Sequence, residues 1–169
     1  EAYIYVEMEH SSTIEFVKEF QNVVISQTFS KAHGLAGLRV GYLISNPTLM
    51  KFLNRVRPMH EITSFATYSL NWILTNSTLL REFQVSIKES KTYLKAELEK
   101  LKIAYKDTHA NFILMYLPNE GSTAGIAQKL KSKGILIRRP FKESFLKDWT
   151  RVGLGTRQDS QKFIKVLKK

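Results

Sequence analysis

An α/β layer followed by a smaller α+β unit is the architecture this sequence predicts, and three observations carry it. Residues 1–45 alternate strand-like and helix-like stretches, residues 47–101 are almost wholly helical in pattern, and residues 102–169 return to short strands set among helices. With 169 residues, 43% of them apolar and 24% charged, the chain can bury a core of ordinary globular composition.

Each element has its own signal. "EAYIYVEM" (1–8) is dense in aromatic and β-branched residues and reads as a strand. "SSTIEFVKEF" (11–20) offers Ser12 as an N-cap, with Glu15 three residues on as in a capping box, and so predicts a helix. "NVVISQTF" (22–29) is a continuous apolar run of strand length, the pattern of a strand buried on both faces. A glycine-bearing loop (31–38) and a further strand, "RVGYLIS" (39–45), follow. "PTLMKFLNRVR" (47–57) predicts a helix that breaks at Pro58, and "SFATYSLNWILTN" (64–76) predicts another. The amphipathic stretch 78–101 is long enough to connect two domains. "IAYKDTHANFILMYLP" (103–118), "ILIRRP" (135–140) and "WTRVGLGT" (149–156) have strand character. Between and after them come a helix over 122–134, closed by Gly134, and a final helix over 157–169. The expected division is 1–77, a connecting helix 78–101, and a compact α+β domain 102–169.

Lys and Arg outnumber Asp and Glu by 26 to 15, a net charge of +11. Nucleic acid, an anionic membrane surface or anionic small molecules are all compatible with that balance. In "KESKTYLKAELEKLK" (88–102), however, acids alternate with lysines as on a solvated helix face. No basic cluster is flanked by aromatics for base stacking. Neither nucleic acid nor membrane is therefore expected as a partner, and the longest apolar stretch, "ANFILMYLP" (110–118), is far too short to span a bilayer. The absence of cysteine excludes a disulfide scaffold, a thiolate metal site and a cysteine nucleophile. With no signal segment in view, although the chain opens without Met, a cytoplasmic location is expected. His10, His33, His60 and His109 have no metal-type spacing, so no metal is expected, and His33 is assigned to shaping its loop.

One stretch carries chemistry: "SQTFSKAHGLAGLRVGY" (26–42). A lysine becomes a covalent catalyst when its neutral amine forms a Schiff base with a carbonyl. Lys31 follows a buried-type strand directly, with Thr28 and Ser30 as hydroxyl donors just before it and Arg39 eight residues beyond it. Hydroxyls and a guanidinium so placed suit a phosphate. Gly34, Gly37 and Gly41 allow tight turns and a close backbone approach.

That segment resembles the cofactor-lysine signature of fold-type I pyridoxal-phosphate aminotransferases, most closely the histidinol-phosphate aminotransferase branch. The resemblance implies that Lys31 is the Schiff-base lysine and moves the proton between the substrate α-carbon and the cofactor. It implies that Thr28, Ser30 and Arg39 hold the cofactor phosphate. "EAYIYVE" resembles the end of the family's Asp-Glu-Ala-Tyr strand, making Tyr3 the phenol that hydrogen-bonds the cofactor's 3′ oxygen. "TRVGLGT" and "GILIRRP" resemble the strands with the substrate-binding arginines, which implies Arg151 for the α-carboxylate and Arg138 as a second anion-binding group. "HANFILMYLP" resembles the small-domain strand that begins near Asn-Phe, which implies a place for Asn111 near the substrate.

The implied fold is the C-terminal part of the aminotransferase large domain, with a mixed, mainly parallel sheet and helices, followed by a small α+β domain. The implied activity is amino transfer between an amino acid or amino-alcohol phosphate and a 2-oxo acid, in a full-length protein that is a homodimer. The family's aspartate before Glu-Ala-Tyr, its Gly-rich phosphate loop and its ring-stacking aromatic have no counterpart here. The match therefore corresponds to roughly the C-terminal half, and the isolated chain is expected to have little or no transaminase activity. A pyridoxal-phosphate-dependent decarboxylase of an amino-acid phosphate fits the same residues, and a non-enzymatic basic binding module is the reading from another class.

Overall fold

The computed structural model describes residues 1–7, 11–118, 122–138 and 141–168. It is mixed α/β and divides into two units, Glu1–Gln84 and Val85–Lys169.

In the first unit, strands β1 (Val24–Thr28) and β2 (Gly41–Ser45) pair antiparallel, from Val24 opposite Ser45 to Thr28 opposite Gly41. The α/β character is as expected, but this ladder is not parallel. Parallel strands need a crossover of about a dozen residues or more, usually a helix. The connection here is a loop whose only regular piece is a single 3₁₀ turn, Ala36–Leu38. β1 is also covered on one face only: Ile25 and Gln27 are buried, while Val24 and Ser26 are exposed. The apolar run suggests burial on both faces, but a ladder partner pairs edge to edge and covers neither, and here one face is left to solvent.

Two further expectations fail nearby. Residues 1–7 form turns rather than a strand, with Val6 N–H donating to the Tyr3 carbonyl at 3.0 Å, and Met8 lies outside the described residues. A strand needs a ladder along its edge, and the turn instead meets β1 end-on, the Glu1 amino group donating to the Ser26 carbonyl at 2.7 Å. The helix expected over 11–20 shrinks to α1 (Phe16–Glu19), without the capping box. Ser12 and Thr13 are instead drawn to the Glu1 carboxylate, at 3.0 Å from the Ser12 hydroxyl and 2.7 Å from the Thr13 N–H. With Phe16 and Phe20 half exposed, so short a helix has little packing to extend it.

The helices that follow match their signals. α2 (Pro47–Asn54) is capped by Asn46, which accepts from Leu49 N–H at 2.9 Å, and α3 (Ser64–Thr75) by Thr63, which accepts from Ala66 N–H at 3.1 Å. α4 (Ser77–Lys100) contributes to both units. Within the first, its Gln84 amide donates to the carbonyls of Tyr5 at 2.9 Å and Glu7 at 3.1 Å, tying down the opening turn.

The second unit is built on an antiparallel sheet ordered β3 (Tyr105–Lys106), β4 (Phe112–Tyr116), β5 (Trp149–Gly153). The strand expected over 103–118 is split at Asp107–Asn111, where the Thr108 hydroxyl donates to the Phe112 carbonyl and shapes a turn. Leu94 and Leu98 of α4, Ile113 and Met115 of β4, Leu130 of α5 (Ser122–Ser132) and Ile164 of α6 (Arg157–Leu167) are fully buried together with it. β5 ends earlier than expected because Thr156 is taken as the N-cap of α6, in a reciprocal capping box with Asp159. Residues 135–138 are not a strand, and the remainder of that expected element, 139–140, lies outside the described residues. The contact found there is from the Thr150 hydroxyl to the Arg138 carbonyl at 3.5 Å, which is not a ladder. No helix among the described residues is long and apolar enough to cross a membrane.

Asp107 joins two lysines of α4, with Lys91 at 2.9 Å and Lys95 at 2.6 Å. Burial opposes its ionisation, but the hydrogen bonds and charges of Lys91 and Lys95 outweigh that and hold the carboxyl at about 2. Because the folded value lies below the ordinary 3.8, this support is present above that pH and is lost as pH falls toward about 2. Urea unfolding of the second unit, followed through Trp149, should show a midpoint that drops over this range in wild type and drops less in Asp107→Asn. Leu98, with no exposed surface, should cost about 2–5 kcal/mol when cut to Ala, measured in the same way at neutral pH.

Candidate active site

The loop between β1 and β2 is held shut at its base. Phe29 N–H donates to the Val40 carbonyl at 3.1 Å, and Leu35 N–H returns to the Phe29 carbonyl at 3.0 Å. Gly34 takes a left-handed turn at φ +70, donating its N–H to the Lys31 carbonyl at 3.2 Å. The ladder beneath leaves no choice at position 41, since a Cβ there would sit 2.4 Å from the Gln27 carbonyl oxygen.

This base sets Thr28, Ser30 and Arg39 around one cleft of about 220 Å³, also lined by Ala2, Ser26 and Gly41. The Thr28 and Ser30 hydroxyls are 2.9 Å apart, and Ser30 N–H donates to the Thr28 oxygen at 3.1 Å. Arg39 is left-handed at φ 55, an uncommon backbone for a residue with a side chain. Its guanidinium gives one N–H to the Ala36 carbonyl at 2.9 Å and is otherwise exposed. None of the described residues lining the cleft is acidic. Two hydroxyls and a guanidinium so placed fit a phosphate.

Lys31 follows Ser30 directly and is half-buried; it does not line the cleft, and its ammonium stands 5.6 Å from the centre of the Tyr3 ring. The residues of the first unit singled out from sequence thus fall into two groups: Thr28, Ser30 and Arg39 around the cleft, and Lys31 against Tyr3. His33 packs edge-on to Phe29 at 5.0 Å and Tyr5 at 5.6 Å. Its Nδ1 is buried with no hydrogen-bond partner among the described residues, and burial pushes its pKa down, favouring the neutral ring. His10 lies outside the described residues.

Sequence reasoning missed Gln27. Its buried carboxamide oxygen accepts from the hydroxyls of Tyr42 and, at 3.3 Å, Tyr5, while its nitrogen donates to Glu1 at 2.5 Å. Burial opposes ionisation of Glu1, but hydrogen bonds from Thr13, Gln27 and Ser12 outweigh it and hold that carboxyl at about 2. Burial, then the Tyr5 hydroxyl and the Glu1 charge, push the Tyr42 phenol up. The signal was available: an amide inside an apolar strand-length run needs buried partners.

The second unit holds the remaining three residues. Arg151 lies on β5 opposite Leu114, with its guanidinium carbon 4.8 Å from the centre of the Phe112 ring. Asn111 precedes β4, and its carbonyl accepts from Leu154 N–H at 2.8 Å. Arg138 is exposed, 5.7 Å from the Phe141 ring centre, and its carbonyl is met by the residue before Arg151.

Residues 1–167 match the family model described as aminotransferase class I and II. Histidinol-phosphate aminotransferase 1 of Trichormus variabilis is 32% identical over 164 residues, a match that covers 97% of this chain and 46% of the relative. The histidinol-phosphate aminotransferase structure from Clostridium acetobutylicum superposes with a TM-score of 0.85 at 25% identity, covering 99% of this chain and 52% of that one. The Sinorhizobium meliloti histidinol-phosphate aminotransferase, solved in complex with pyridoxal-5′-phosphate, has the same fold, with a TM-score of 0.85 at 24% identity, 99% of this chain and 47% of that one. The chain spans about half the length of the curated relatives it matches.

Gly41→Ala should break the close approach to Gln27 and unfold the loop base. Hydrogen exchange at Phe29 and Leu35 should speed up by about tenfold or more, while exchange in β4 stays unchanged.

Proposed function

The chain belongs to the class I and II aminotransferase family, and on that premise we propose that it serves pyridoxal-phosphate-dependent amino transfer between a histidinol-phosphate-like amino compound and a 2-oxo acid. The observation that carries this reading is the cleft shared by Thr28, Ser30 and Arg39, with no acid among its described lining residues, in the loop that also bears Lys31.

Thr28, Ser30 and Arg39 would hold the cofactor phosphate, Tyr3 its phenolic oxygen, and Lys31 its carbonyl carbon through the side-chain amine. When bound, pyridoxal phosphate supplies a conjugated ring that draws electrons from the α-carbon of an amine. The chain's own residues do the rest. The two hydroxyls donate to phosphate oxygens, and Arg39 adds charge-assisted bonds from its exposed N–H groups. Lys31 would take up a proton at Nζ, as a neutral amine, from the substrate α-carbon and return it to the carbon by which the cofactor holds the amine. Arg151, its guanidinium stacked on Phe112, pairs with the substrate carboxylate. Arg138 binds a second anionic group, and Asn111 contributes a polar contact. The active protein is a homodimer in this reading, with an amino donor and a 2-oxo acid as its small-molecule partners.

Borohydride reduction after incubation with pyridoxal phosphate, followed by peptide mass mapping, tests the assignment. The label should fall on Lys31 and vanish in Lys31→Ala, and a label on any other lysine in wild type would sink the proposal. Arg39→Ala should weaken cofactor retention about tenfold to a hundredfold in equilibrium dialysis. In turnover assays of a protein in which this chain is joined to the part of the family fold it does not cover, an oxo product rather than carbon dioxide is the expected outcome.

A further inference from the structure

Gln27 is buried in β1, directly before Thr28, and lines the same cleft as Thr28, Ser30 and Arg39. Burying a carboxamide costs free energy unless it is hydrogen-bonded. The partners of Gln27 lie on both sides of Tyr3. Its Nε2 donates to the Glu1 carboxylate at 2.5 Å, just upstream of Tyr3, and its Oε1 accepts from the Tyr5 hydroxyl at 3.3 Å, just downstream. Oε1 also accepts from the hydroxyl of Tyr42, which stands opposite Gln27 on β2. Between the two grips the turn closes on itself, with Val6 N–H donating to the Tyr3 carbonyl at 3.0 Å. Held on both flanks, the Tyr3 ring stands 5.6 Å from the Lys31 ammonium.

An amide suits this place because it offers an acceptor to two phenols and a donor to a carboxylate. A carboxylate at position 27 would repel Glu1, and an apolar side chain would give the phenols and Glu1 nothing to bond. We propose that Gln27 is a positioning residue for the cofactor site, aligning Tyr3 with Lys31 by gripping the opening turn at Glu1 and Tyr5. The use of that alignment rests on the amino-transfer reading, whereas the grip itself is read out without cofactor. Among the described residues, the titratable groups around Gln27 are Glu1 and Tyr5 of the turn and Tyr42 of β2, with His33 of the loop edge-on to Tyr5 at 5.6 Å.

Hydrogen exchange at Val6, taken as a ratio to Phe29 in the same 169-residue chain, tests the grip, since the ratio removes most of the intrinsic pH dependence of exchange. Gln27→Met should raise the ratio about tenfold, with Phe29 unchanged, and should lower borohydride-trapped pyridoxal phosphate on Lys31 by about the same factor. Gln27→Glu should raise the ratio at about pH 8 and return it toward wild type at about pH 5. There the two facing carboxyls share a proton, and an O–H replaces the amide donor. Circular dichroism checks folding at each pH, and Gln27→Glu carries the test by itself where the methionine variant does not fold. Three outcomes would overturn the proposal: a methionine variant with the wild-type ratio, a glutamate variant whose ratio ignores pH, or Val6 and Phe29 speeding up together, as for a residue that only stabilises the ladder. A wild-type label on another lysine would end the amino-transfer reading alone, and the exchange ratio would still decide the grip.

Discussion

The approach of β2 to β1 at Gly41, where nothing larger than hydrogen fits against the Gln27 carbonyl, is the contact on which the first unit depends. It fixes the last rung of the ladder, with Thr28 opposite Gly41, and that rung is the base of the loop bearing Lys31. Because the base is closed, residues eleven apart in sequence, Thr28 and Arg39, line one cleft. A side chain at position 41 would move one arm of the loop away from the other and separate the hydroxyls from the guanidinium. The left-handed backbone of Arg39 has the same origin: the chain must leave its 3₁₀ turn and enter β2 within two residues.

The two units are held by different physics. The second has a hydrophobic centre, in which Leu94, Leu98, Ile113, Met115, Leu130 and Ile164 are sealed from water. Its polar pieces, such as the Ser90 and Ser160 hydroxyls 2.8 Å apart, are satisfied within it. The first unit relies more on hydrogen bonds. Gln27 gathers Tyr5, Tyr42 and Glu1, and Gln84 fastens the opening turn, while large apolar side chains on α1, α2 and α3 stay exposed. Buried polar clusters of this sort hold one geometry well when every member has a partner. They contribute less net stability than an equal area of apolar burial.

Apolar spacing and the stops at Pro58 and Gly134 made most of the helices legible, and Gly134 turns left-handed just past α5. The caps Asn46, Thr63 and Thr156, each set where a side-chain oxygen meets an orphan N–H, emerge only in the structure. The failures share a cause. Residues 1–8 and 135–140 have strand composition, but composition cannot create a neighbour, and their described parts have no ladder alongside. Ser12 has the type and spacing of a cap, yet it is drawn away by the Glu1 carboxylate, which approaches from eleven residues back. Gln27 went unremarked because its meaning lies in partners from three other segments.

By itself, the sequence determined the family, the position of the lysine-bearing loop, and the residue types around it. These depend on local spacing, and local spacing survives in one dimension. Only the tertiary structure decided that β1 is covered on one face, that its ladder is antiparallel, and that Thr28, Ser30 and Arg39 share a cleft while Lys31 stands against Tyr3. Strand direction, burial and convergence are properties of neighbours brought together by a closed loop and a paired edge. No residue carries that information alone.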